Sequence, residues 1–350
     1  MKASKWNRLV LGTTVAILLL VAGVTALIDP FLHYHGPLGS LQYPLKDERY
    51  QNDGILRNFS YDAIITGTSM CQNFRTSEFD SLWDTSSVKV CYSGASFKEI
   101  DENVRRALLY RDDVKYVLRS LDSNRLNYPA DKNEYEGYPT YLYDNNVFND
   151  VYYLLNKEVI PKTIAVVNYT EAGHTTPTWD EYGSWSQYKV FGKEEVFRTW
   201  SVFEEQEEEY TLRQEDFDRI RENVQKNIIQ TALENEDVTF YLFFPPYSIC
   251  YWDTLVRTKQ LDAQLSAEQY AVELLLEVDN IRVFSFSDHV DIISNLDNYT
   301  DALHYGEWVN SHILSWMYEG EGELTRDNYK TYFQKIQKFY SEYDFSFVEK

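Results

Sequence analysis

Five short, continuous apolar runs, separated by amphipathic stretches, constrain this chain more than any other feature. They cover residues 62–66, 88–91, 114–121, 238–244 and 281–286. Continuous rather than alternating runs belong to parallel strands covered on both faces. Helical patterns lie between them. "SFKEIDENVRRALLYRDD" opens on Ser96 with Glu99 three residues later, the spacing of a capping box. "EDFDRIRENVQKNIIQTALENE" and "TKQLDAQLSAEQYAVELLLEV" read as longer amphipathic helices, and "TRDNYKTYFQKIQKFYSEYDF" as a closing one. Strands alternating with helices predict an α/β fold with an open, doubly wound parallel sheet of about five strands. A chain of 350 residues, 44% hydrophobic and 16% aromatic, can bury a core for such a sheet.

A different pattern precedes the first strand. Lys2, Lys5 and Arg8 come before the uncharged run "LVLGTTVAILLLVAGVTALI", residues 9–28, which Asp29 and Pro30 close. About twenty such residues are what a bilayer core requires. The positive flank predicts a cytoplasmic tip, one transmembrane helix and an extracytoplasmic remainder. The run is longer than the core of an ordinary signal peptide, so an uncleaved anchor is expected over residues 1–28. Residues 29–60 read as an irregular lead-in, 61–320 as the α/β domain and 321–350 as a helical tail. An insertion rich in Tyr, Trp, Asn and Asp spans about 122–210 and is read as an elaboration over the sheet, its one clear pattern being "VFNDVYYLLNKEVI".

The formal net charge is −22, and basic residues form no dense patch beyond the N-terminus, which argues against nucleic acid as a partner. The acidic run "EEQEEEY" at 204–210 lacks the alternation of a calcium loop. His33 and His35 have a metal-pair spacing without a third ligand, and the spacings of Cys71, Cys91 and Cys250 resemble no zinc site. No metal site is expected. Cys71 and Cys91 are either buried free thiols or one bridge.

Ligands of open α/β sheets bind beyond the carboxyl ends of the strands. Ser69 stands there in "YDAIITGTSMCQNF", Gly94 in "CYSGAS", and Asp122 and Asn124 in "LDSNRL". Far downstream, "DNYTDALHYGEWVN" puts Asp301 and His304 three residues apart. A serine hydroxyl needs an adjacent base, itself oriented by an acid, and Asp-x-x-His holds both in one turn. The backbone N–H groups of Ser69 and Gly94 are candidate donors to a developing oxyanion.

This order of motifs resembles the SGNH/GDSL hydrolase superfamily, over roughly 60–125 and 235–318. The resemblance implies a flavodoxin-like three-layer α/β/α fold and a triad of Ser69 as nucleophile, His304 as base and Asp301 as its orienting acid. It implies an oxyanion hole from Ser69, Gly94 and Asn124, and no cofactor. Thr68 replaces the aspartate of Gly-Asp-Ser, and "SLDSNRL" replaces the usual Gly-x-Asn-Asp. With its anchor, the chain is similar to D-alanyl-transfer and alginate-type O-acetylation proteins. That similarity implies an esterase or O-acyltransferase acting on an envelope glycan, with a multipass membrane-bound O-acyltransferase as partner. The alternative from another class is a catalytically silent module of the same fold that binds glycan or scaffolds such a partner.

Overall fold

Parallel neighbours require a crossover after every strand, so the intervening helices are obligatory parts of the sheet. The computed structural model describes residues 3–135, 137 and 139–346. Its principal elements begin with helix α1 (Ala3–Ile28), α2 (Glu48–Asn58), strand β1 (Ala63–Thr66), α3 (Thr76–Trp83), β2 (Ser87–Lys89), α4 (Phe97–Tyr110) and β3 (Tyr116–Ser120). Then come α5 (Val151–Leu154), α6 (Val159–Glu171), α7 (Gln214–Val224), β4 (Thr239–Phe244), α8 (Ile249–Arg257), α9 (Leu261–Leu275) and β5 (Ile281–Ser285). The chain closes with α10 (Glu307–Glu319), β6 (Glu323–Leu324) and α11 (Tyr329–Glu342).

Two compact units share these elements, one of Met1–Ser60 with Gly137–Thr178, the other of Tyr61–Glu136 with Trp179–Lys350. The second holds a six-stranded sheet in the order β2-β1-β3-β4-β5-β6. The strands β1 to β5 are parallel and β6 runs antiparallel to β5. The apolar runs become the parallel strands because both faces are covered, and every residue of β1 is buried. The sixth strand adds to the expected five. With only two residues, Glu323 and Leu324, it has no periodicity to read; pairing with β5 creates it.

The helical signals translate directly. In α4, Ser96 Oγ accepts from the Glu99 N–H at 3.3 Å and the Glu99 carboxylate accepts from the Ser96 N–H at 2.8 Å, a closed capping box. The next amphipathic stretch is interrupted, since α7 passes into a π-helical segment, Gln225–Ile229. Helix α9 packs against α7, β5 and α11.

In the other unit, α1 is long and apolar enough to cross a membrane. Only its last turns are covered: Thr25 is buried and Val21, Ala22, Ala26 and Ile28 are half-buried. A left-handed residue, Asp29, ends it, and the Asp29 carboxylate accepts the N–H groups of His33, Tyr34 and His35 and the Tyr153 hydroxyl at 2.6 to 3.0 Å. Phe31, Leu142, Tyr153 and Val159 form the buried cluster around it. These contacts put 137–178 with the N-terminal residues, so the stretch read as one insertion, 122–210, is divided between the two units.

Candidate active site

The strand β1 ends against β2 and β3, and Gly67 follows at a φ of +140°. A Cβ there would lie 2.5 Å from Ser120 Oγ and 2.7 Å from Cys71 Sγ, so the turn accepts only glycine. The Thr68 N–H donates to Ser120 Oγ at 3.4 Å, and the Thr68 hydroxyl donates to the Asp122 carboxylate at 2.9 Å while accepting from the Met70 N–H at 3.3 Å. This bracing lifts Ser69 off the sheet's carboxyl edge, half-buried.

Ser69 Oγ lies 2.8 Å from His304 Nε2. His304 Nδ1 lies 2.8 Å from one Asp301 oxygen and 3.0 Å from the other. An ionised carboxylate only accepts, so Nδ1 carries the proton and Nε2 is left to accept the serine hydroxyl. Burial pushes the Asp301 carboxyl up, but hydrogen bonds from the His304 ring and the N–H groups of His304 and Leu303 outweigh it and hold it below the ordinary carboxylate range. The loop itself is tied to the double proline after β4. Ser248 Oγ donates to the Ala302 carbonyl at 2.7 Å and the Tyr299 hydroxyl to the Pro246 carbonyl at 2.7 Å. Ser69, His304 and Asp301, 235 residues apart at the extreme, thus form one hydrogen-bonded relay.

Gly94 adopts a φ of +68° after β2, and its carbonyl accepts from the Arg125 guanidinium at 3.3 Å. Neither the Ser69 nor the Gly94 N–H meets a hydrogen-bond acceptor among the described residues. Asn124 is exposed on the turn Ser123–Arg125, and no hydrogen bond joins it to the relay among the described residues. The side chain that reaches the Ser69 turn from this block is Asp122. It is buried, accepts from Ser120, Thr68 and the Tyr247 hydroxyl at 2.8, 2.9 and 3.3 Å, and burial pushes its carboxyl up against those bonds.

Three further residues complete the surroundings, and sequence reasoning missed all of them. The Trp185 indole N–H donates to the Ser69 carbonyl at 3.2 Å, and its ring meets the His304 ring edge-on at 5.4 Å. Asn73 holds that tryptophan's loop by accepting the Trp185 and Ser186 N–H groups at 3.0 and 3.1 Å. Lys89, buried at the end of β2, donates to the carbonyls of Gln72, Phe74 and Asp180 at 2.6, 2.9 and 2.9 Å, which ties the turn after Ser69 to the same loop. The only signal for Trp185 was the aromatic richness of its segment.

Cys71, Cys91 and Cys250 are buried free thiols, and burial pushes Cys250 up to about 12. Among the described residues no group of three or more His, Cys, Asp or Glu side chains could hold a metal ion. His33 is buried 3.7 Å from Asp150. No protein-family model matches the chain, and no curated protein matches it.

Proposed function

We propose that the chain is a membrane-anchored serine esterase or O-acyltransferase of the SGNH type, with Ser69, His304 and Asp301 as its triad. The observation that carries this reading is the continuous relay, Oγ to Nε2 at 2.8 Å and Nδ1 to the carboxylate at 2.8 Å. The parallel strands in the order 2-1-3-4-5 support a flavodoxin-like, three-layer arrangement, in which such a site belongs at the strands' carboxyl edge.

The Ser69 oxygen attacks the carbonyl carbon of an acyl ester while His304 Nε2 takes its proton. The tetrahedral oxyanion is received by the N–H groups of Ser69 and Gly94, which meet no acceptor among the described residues. Collapse breaks the bond to the leaving alcohol, which takes the proton back from the imidazolium, and leaves an acyl-serine. A glycan hydroxyl or water then attacks the acyl carbon, again giving its proton to His304. The second intermediate collapses by breaking the bond to Ser69 Oγ, which takes that proton back and frees the new ester or acid. Asp301, held ionised, stabilises each imidazolium. The relay is half-exposed, and beside it stand Trp185, Phe191 and Trp308, with Trp185 and Phe191 rings at 6.5 Å and Phe191 and Trp308 rings at 4.9 Å. An open aromatic wall suits an acylated envelope polysaccharide, since sugar faces stack on such rings. The anchor and its positive flank support a single-pass protein with this domain outside, where a multipass O-acyltransferase is the fitting acyl donor.

A second reading, a silent glycan-binding or scaffolding module, is favoured by Asp122, because the segment after β3 turns a carboxylate rather than an amide toward the serine turn. Fluorophosphonate labelling separates the two. The wild-type chain is expected to label at Ser69 and Ser69→Ala to remain unlabelled. A wild type that stays unlabelled beside a reactive serine esterase would sink the catalytic reading.

A further inference from the structure

The unit built from Met1–Ser60 and Gly137–Thr178 carries apolar surface that its own core does not use. Phe148 is 90% exposed, Val147 70% and Tyr152 64%, and Val151 is also exposed. These positions lie close together in the chain, on the turn at 147–150 and the first residues of α5. Neighbouring α6 adds exposed Ile164. An exposed apolar surface of this kind marks an interaction site.

The place of that surface along α1 identifies what covers it. Both α5 and α6 pack on α1, and α1 is covered only from Val21 to Ile28. At about 1.5 Å per residue those positions are the last ~10 Å of the apolar run. A run of about twenty residues fills a bilayer core of about 30 Å, so α5 and α6 stand beside α1 where it is still apolar. Of the charges near them, Lys162 is paired with Asp47 at 2.7 Å, while Lys157 and Glu158 stand exposed 3.9 Å apart at the start of α6. The Asp144 carboxylate is satisfied by the Asn146 N–H and the Asn149 amide at 2.8 and 2.7 Å.

We infer that Val147, Phe148, Val151 and Tyr152 are a lipid-facing surface that seats this unit in the headgroup and acyl boundary of the bilayer beside its transmembrane helix. The inference rests on the anchor reading of α1. Such a seat removes much of the rotational freedom of a single-helix tether, as interfacial segments with buried aromatic and aliphatic side chains do. It gives this unit a fixed orientation at the bilayer.

The test uses the full chain in vesicles of phosphatidylcholine and phosphatidylglycerol, with Phe148→Cys carrying an environment-sensitive fluorophore. The native cysteines are buried, so labelling is selective, and Glu171→Cys, exposed on the same unit, is the control. The expected result is a blue-shifted probe at 148 that doxyl lipids quench severalfold more than the probe at 171. Water-like emission at 148 on a chain that stays with the vesicles after an alkaline wash would overturn the lipid surface while leaving the anchor intact. A blue-shifted probe that doxyl lipids leave unquenched would overturn it too, assigning the face to a protein partner or a second copy. A chain that washes off sinks the anchor and the surface together.

Discussion

The Thr68 hydroxyl donates to the buried Asp122 carboxylate across 2.9 Å, and through this bond the turn carrying Ser69 is braced by the segment that follows the neighbouring strand β3. The same hydroxyl accepts the Met70 N–H, so one threonine holds the backbone on both sides of the serine. The hydroxyl of this pair stands on the turn after β1 and the acid two residues beyond the end of β3. Thr68 and Asp122 are therefore positioning residues for Ser69.

That pairing predicts a specific mutational pattern. Thr68→Val keeps the shape and removes the hydroxyl, and is expected to slow acyl-serine formation by roughly 10- to 100-fold, the scale on which small misplacements act. Thr68→Ser is expected to restore the rate to within a few-fold. Combining Thr68→Val with Asp122→Ala should cost less than the sum of the two single changes, because they share the Thr68–Asp122 bond, while Thr68 also loses the Met70 N–H and Asp122 the Ser120 and Tyr247 hydroxyls. Additive losses in single-turnover labelling would show that the two side chains act independently.

Trp185 makes two separable contacts. Trp185→Phe keeps an aromatic edge for His304 and loses the indole N–H to the Ser69 carbonyl, whereas Trp185→Ala loses both. A net hydrogen bond is worth about 1 kcal/mol, which is roughly a fivefold slower reaction for Phe, and the ring contact should add a comparable loss for Ala. Pre-steady-state rates with a small chromogenic ester measure both. Equal rates for Phe and Ala would confine the role of Trp185 to its indole N–H.

The parts of this molecule that were legible in sequence are those with local signatures. The continuous runs that became β1 to β5, the Ser96 and Glu99 box, and Asp301 beside His304 each announce themselves within a few residues. Trp185, Asn73 and Lys89 do not, because their hydrogen-bond partners lie 15 to 116 residues away and such contacts have no period. The strand β6 is too short for alternation. Residues 137–178 were read with the sheet because their own pattern is weak; what assigns them elsewhere is a buried polar knot, Asp29 with Tyr153, that only the fold creates.

Beside the turn Ser123–Arg125, Glu268 on α9 is buried, and burial pushes its carboxyl up to about 7 against hydrogen bonds from Ser123 and Gln264. In the unfolded chain the same group titrates near 4.3, at about the ordinary value for glutamate. Between those values the folded chain holds a proton that the unfolded chain has released. The contribution to stability is therefore fully present below about pH 4.3 and is lost as pH rises through about 7. The shift corresponds to roughly 3 kcal/mol of stability lost across that window. Glu268→Gln stays neutral throughout and keeps an acceptor for the Gln264 amide, which donates at 2.9 Å. Thermal melts of the full chain in detergent should show the glutamine variant gaining several degrees on the wild type at about pH 8 and little at about pH 5. A difference between the two proteins that is the same at both pH values would mean that Glu268 is ionised in the fold and that its burial is compensated by groups other than Ser123 and Gln264.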